Sequence, residues 1–125
     1  AHVRALYVSD TRENQEEVDA VNCASQLGPG LPIFFASDSK NTSRQALAYA
    51  KSKGATIVAR ETDKEPIHLD RGLDFLFKSD DWQGRPASDF YDVFVDLFLI
   101  AAARCVAYGV GGYGSWASLL GGNHN

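Results

Sequence analysis

Apolar residues fall along the chain in short blocks, alternating with segments that repeat at helical spacing. Val3 to Val8 is an apolar block, interrupted by Arg4, that predicts a strand. Ser9 to Thr11 supplies turn and cap chemistry, and Asn14 to Leu27 then reads as a helix. Its apolar positions Val18, Val21 and Ala24 or Ser25 recur at helical steps, and Glu13, Glu16 and Glu17 stand where the helix dipole favours acids. Gly28-Pro29-Gly30 stops that helix. Leu31 to Ala36 is continuously apolar, as expected of a strand covered on both faces. Asn41 to Lys53 predicts a second helix, closed by Gly54, and Ala55 to Ala59 a third strand. Glu61 to Pro86 is irregular, rich in Asp, Lys, Gly and Pro, and predicts loops with one short turn around Leu73 to Phe77.

Regular spacing returns after Pro86. Ser88 is a good N-cap, Asp89 and Asp92 suit the first turns, and Phe90, Val93, Phe94, Leu97 and Ala101 mark one helix face. Cys105 to Tyr108 reads as a fourth strand, Gly109 to Gly114 as a glycine-rich turn, and Ser115 to Leu120 as a short closing helix. No internal repeat or low-complexity segment interrupts this order. Strands alternating with helices predict parallel βαβ units, hence an α/β fold with a doubly wound, Rossmann-like parallel sheet. Ligands of such sheets bind outside the carboxyl ends of the strands, which directs attention to the strand-ending loops.

Composition narrows the classes without naming one. At 125 residues the chain suits a single domain spanning 1–125, and 45% hydrophobic with 22% charged residues is ordinary for a folded globular chain. A net charge of −4 argues against a non-specific nucleic-acid binder, yet permits one anionic ligand held by a local Arg. Cys23 and Cys105 form no disulfide framework or metal-ligand spacing, and are either two packed thiols or one bridge. The longest apolar run, Leu97 to Ala103, is far short of the roughly 20 residues of a membrane span. The chain opens at Ala1-His2-Val3-Arg4 without an initiator Met, so a processed or excised piece of a longer protein is expected.

Four clusters lie at or beside the strand ends. His2 and Arg4 share one face of the first strand, an imidazole able to bond a base or sugar beside a guanidinium fork suited to phosphate. Ser37-Asp38-Ser39 follows the second strand. Asp96 stands inside the apolar stretch Phe94 to Ile100, where a buried carboxylate must be hydrogen-bonded; donors in the Gly109 to Gly114 turn are its expected partners. In Gly109-Val110-Gly111-Gly112-Tyr113-Gly114, glycines let backbone N–H groups approach an anion at a helix N-terminus. Each has an ordinary alternative as well: surface residues for the first, helix capping for the second, an exposed helix edge for the third, a tight turn for the fourth.

In this order the clusters resemble the C-terminal, donor-binding half of fucosyltransferase-like glycosyltransferases. His2-Val3-Arg4 is similar to that family's His-x-Arg motif, and Cys23-Ala24 and Phe34-Phe35-Ala36-Ser37-Asp38 to the helix and strand ends that follow it. Val95-Asp96-Leu97 and the segment Cys105 to Gly114 are similar to its third motif. The resemblance implies one Rossmann-like lobe of a GT-B architecture, and an inverting, metal-independent transfer of fucose or a related sugar from a GDP-sugar to a glycan or protein hydroxyl. Arg4 would grip the donor's β-phosphate and act in catalysis. His2 and Asp96 would contact the guanine end, Asp38 would line the pocket, and Gly111, Gly112 and Tyr113 would hold the pyrophosphate through backbone N–H groups. No cofactor beyond the donor, GDP-fucose, is implied, and no metal: Ser37-Asp38-Ser39 has a single carboxylate.

The chain departs from the family at Ala5, where many members carry a second Arg, and at Gly112, where relatives place a Ser. The acceptor-binding N-terminal lobe is missing from these residues. A degenerate lobe kept as a binding or structural subunit of a larger assembly is therefore the alternative. A flavodoxin- or receiver-like domain fits less well, because Ser9-Asp10 is followed by Thr11-Arg12 and no acidic pair. Asn41-Thr42-Ser43 matches a glycosylation acceptor, in keeping with the Golgi or ER lumen of the secretory pathway.

Overall fold

The computed structural model describes residues 1–5, 13–60 and 86–122. Outside them lie residues 6–8 of the first expected strand, the turn at 9–11 with the neighbouring Arg12, and the irregular stretch 61–85 with its turn at 73–77. Among the described residues three strands form one parallel sheet in the order β1 (His2–Val3), β2 (Ile33–Ser37), β3 (Ile57–Ala59). His2 pairs with Ala36 and Val3 with Ser37, while Ile33, Phe34 and Phe35 pair with Ile57, Val58 and Ala59.

Helix α1 (Glu13–Leu27) links β1 to β2, and α2 (Lys40–Ser52) links β2 to β3. Ser39 caps α2, its hydroxyl accepting from the Thr42 N–H at 3.3 Å, and Gly54 ends it with a left-handed φ of 70°. Side chains alternate across β2, so its two faces meet different helices. Ile33 and Phe35 pack with Val3, Val21, Ala46 and Ala50. Phe34 and Ala36 pack with Leu97, Ile100, Val106, Tyr113 and Ala117. Helices α1 and α2 thus cover one face, and α3 (Tyr91–Ala101) and α4 (Gly112–Leu120) the other.

Several expectations shift. Ser88 caps no helix: it sits in a 3-10 turn, Ala87–Phe90, that leads into α3 without a side-chain cap. The closing helix starts at Gly112 rather than Ser115. The fourth strand shrinks to one parallel bridge between Tyr108 and His2, with the His2 N–H donating to the Ala107 carbonyl at 2.9 Å. Chain geometry gives the reason. The N–H groups of Ala102 and Ala103 still bond back to Phe98 and Ile100, so the chain straightens only near residue 106, and β1 is two residues long. The strand at Leu31 to Ala36 is displaced two residues onward at its start, and among the described residues β3 is an edge strand, with Val58 exposed. Cys23 and Cys105 are free thiols, Cys23 exposed and Cys105 partly so. Among the described residues no helix is long and apolar enough to cross a membrane.

Candidate functional site

The chain steps from β1 outward through β2 to β3, then returns on the far side of β1 through Ala107 and Tyr108. In a parallel sheet that reversal opens a crevice at the carboxyl ends of the two strands that flank it. Arg4 follows β1 at that end of the sheet, and its side chain reaches the glycine turn beyond Tyr108. Its guanidinium lies across Gly111: a Cβ added there would stand 2.9 Å from Arg4 Nη1 and 3.0 Å from Cδ. Gly111 holds φ 104° and ψ 160°, a conformation essentially reserved for glycine, so both its backbone shape and its missing side chain make room for the arginine.

Gly111 is also the N-cap of α4, with no side-chain cap and no acid in the helix's first turn. The helix N-terminus carries partial positive charge on N–H groups that have no intrahelical partner. The guanidinium and these N–H groups add potential of one sign at the same spot, and that spot favours an anion. Gly112 next to it is exposed, with Trp116 at ordinary contact distance.

On the other side of β1, the Ala5 N–H donates to Asp38 Oδ1 at 2.7 Å. This bond ties the end of β1 to the end of β2 and holds the carboxylate beside the crevice. The polar trio after β2 therefore divides. Ser39 caps α2, Ser37 pairs with Val3 while its hydroxyl accepts from the Ser39 N–H at 3.2 Å, and the Asp38 side chain reaches Ala5 just past β1. His2 is buried, which removes the surface alternative for it, and its ring lies 4.9 Å from that of Tyr113, tilted by 35°.

Asp96 is largely buried, and its partner is Arg60 at the end of β3, not a donor in the glycine turn. Arg60 Nε donates to Oδ1 at 2.5 Å and a terminal nitrogen donates to Oδ2 at 3.0 Å, a two-pronged pairing. The same guanidinium pairs with the Asp92 carboxylate at 2.6 Å and donates to the Asp92 carbonyl at 3.0 Å. The bond to Asp96 is the main reason the Arg60 pKa rises above its usual value. Arg60 was legible as a polar residue directly after an apolar strand, the same position that selected the trio Ser37-Asp38-Ser39. Buried Glu17 carries its own signal, standing one helical turn before Val21 on the inward stripe of α1.

Tyr113 stands between these parts, touching His2 while its hydroxyl donates to the Val93 carbonyl. Burial, and then the Asp96 charge, push its pKa above the ordinary 10.0. A phenol that ionises later in the fold than in the unfolded chain stabilises the fold below about pH 10 and loses that contribution as pH rises beyond it. Urea unfolding at pH 9 and at pH 11 should therefore show a smaller loss for Tyr113→Phe than for the wild type. Equal losses would mean that this phenol ionises normally in the fold.

The structure thus joins Arg4 to Gly111, Asp38 to the end of β1, and Tyr113 to His2, while Asp96 is engaged by Arg60. No protein-family model matches the chain, and comparison with curated proteins and with solved structures likewise finds no match.

Proposed function

We propose that the crevice beside β1 is the phosphate-binding half of a GDP-sugar site. In this reading the chain is the Rossmann-like donor lobe of a fucosyltransferase-like GT-B glycosyltransferase, completed in the full protein by an acceptor-binding lobe. The observation that carries it is Arg4 lying over Gly111 at the uncapped start of α4. A departing nucleoside diphosphate gains negative charge, and a guanidinium with preoriented backbone N–H groups stabilises that charge as it develops. The fucosyl group, or that of a related sugar, passes to a hydroxyl of a glycan or protein acceptor in the Golgi or ER lumen.

The guanine end falls to His2 and Asp96. An ionised carboxylate offers about four acceptor positions, and Arg60 takes two of those on Asp96. The remaining two accept from neighbouring N–H donors, which guanine has on its Watson–Crick edge and adenine and uracil do not have in that pairing. Calorimetric titration with GDP, ADP and UDP tests the reading. The expected result is binding of GDP at least about tenfold tighter than either competitor, a difference of one or two hydrogen bonds. Equal affinity for all three would leave an anion site with no guanine recognition. Absence of GDP binding by the full protein would favour a lobe kept only as a structural subunit.

A further inference from the structure

We infer that the outer face of α3 and α4 is a self-association surface that seats the same face of a second copy of this chain. The inference is independent of the nucleotide reading. Helix α3 turns Leu97 and Ile100 towards the sheet, yet Tyr91, Phe94 and Phe98 recur on its other side at three- and four-residue steps. On α4 the same holds for Trp116, Leu119 and Leu120, opposite buried Ala117. Phe98 is 62% and Trp116 64% exposed.

The outward face of a helix in contact with water normally carries charged residues. Helix α4 has none, and the two acids of α3, Asp92 and Asp96, are both held by Arg60. Helices that are apolar on nearly every side are buried in the finished molecule. With an aromatic side chain contributing roughly 150–250 Å² in full, the exposed parts of these six side chains, with Val95 and Leu99, amount to on the order of 800 Å². That is about one partner's share of a standard stable interface.

A two-fold pairing requires a patch complementary to itself. A patch of apolar side chains meets that condition, because its own residues carry no like charges and the neighbouring Asp92 is paired with Arg60, even though each chain carries −4 overall. A membrane surface suits it less well. Helices that lie on lipid flank their apolar face with Lys and Arg, and neither α3 nor α4 contains one.

Sedimentation of the 125-residue chain at about 100 μM, well above the micromolar or tighter Kd of a standard interface, should give twice the 13.6 kDa monomer mass. Added salt should leave that mass unchanged, since no ion pair is screened. Phe98→Glu, and separately Trp116→Glu, should weaken the dimer by roughly thirtyfold or more while preserving the circular-dichroism spectrum. Both positions are exposed in the single chain, so a charge there is tolerated by the fold, and either variant serves if the other misfolds. A wild-type chain that stays monomeric at this concentration would overturn the inference. So would a dimer that both variants leave intact, or a monomer that instead sediments with phosphatidylcholine vesicles.

Discussion

Arg4→Ala lowers the affinity for GDP by roughly ten- to a hundredfold, the worth of one charge-assisted hydrogen-bonding group at about 1.5–3 kcal/mol. The guanidinium faces the uncapped start of α4 across Gly111, so its removal takes away the side-chain cation lying over that spot. The backbone N–H groups remain and retain part of the binding. Arg4→Lys recovers some of the loss but not all, because an ammonium gives a point charge where the fork gave two parallel bonds. Raising the salt weakens the wild type more than Arg4→Ala, since only the former has the full charge to screen. Calorimetry on folded protein decides the matter: an unchanged GDP affinity in Arg4→Ala would remove Arg4, and with it the phosphate site, from consideration.

The largest loss of stability is expected at Gly114, not at the glycine that Arg4 covers. Gly114 lies in the first turn of α4, buried against Tyr108, and an added Cβ would stand 2.4 Å from Tyr108 Cβ and 2.8 Å from its Cγ. Those atoms cannot swing aside, because Tyr108 Cβ is fixed to the backbone that bridges to His2. Gly114→Ala must therefore push α4 away from the sheet. Overpacking of this kind costs about 1–3 kcal/mol, set against the roughly 1 kcal/mol by which Ala favours a helix interior over Gly. A clash this short belongs at the upper end of the range, so a net loss of about 1–2 kcal/mol is expected, visible as a fall in Tm of several degrees. Gly112→Ala is the matched comparison, since its Cβ would meet only Trp116 at 3.5 Å. That variant should be as stable as the wild type or slightly more so. Equal melting temperatures for the two variants would show that α4 is loosely seated.

Which parts of this structure were legible in the sequence follows from how local their causes are. The unbroken apolar run Ile33-Phe34-Phe35-Ala36 announces a strand covered on both faces, and β2 has helices on both. Gly28-Pro29-Gly30 and Gly54 end their helices through their own backbone preferences, so those boundaries can be read residue by residue. Helix α3 is different. Its apolar residues occupy every side, so nothing in the sequence singles out the side that meets the sheet. Phe94, expected on the core face, is half exposed, while Ile100 is the fully buried residue.

The same division runs through the site. Arg4 and Gly111 can each be selected from strand ends and glycine turns, but their contact depends on Tyr108 pairing beside β1. The partner of Asp96 is set by where α3 meets Arg60 just past β3, a tertiary fact that sequence spacing does not encode. For the same reason Ser88, a suitable cap by residue type, is bypassed when the 3-10 turn shifts the start of α3 to Tyr91.

The bridge between His2 and Tyr108 carries the largest chain-entropy cost among the strand pairings of the sheet. It closes a loop of about a hundred residues, worth roughly 4 kcal/mol by the logarithmic dependence on loop length, and one bridge with one hydrogen bond repays only part of it. The rest comes from the burial of Ile100, Ala117 and Tyr113 against β2, so the seam and the packing of α3 and α4 support one another. The crevice is thus assembled by the most non-local contact of the sheet, which makes its formation slow relative to that of the helices. The same logarithm makes it tolerant of length: doubling the chain between the two paired residues adds only about 0.6 kcal/mol. Evolution can therefore lengthen or rebuild the stretch between β3 and α3 while the two halves of the crevice still meet at His2 and Tyr108.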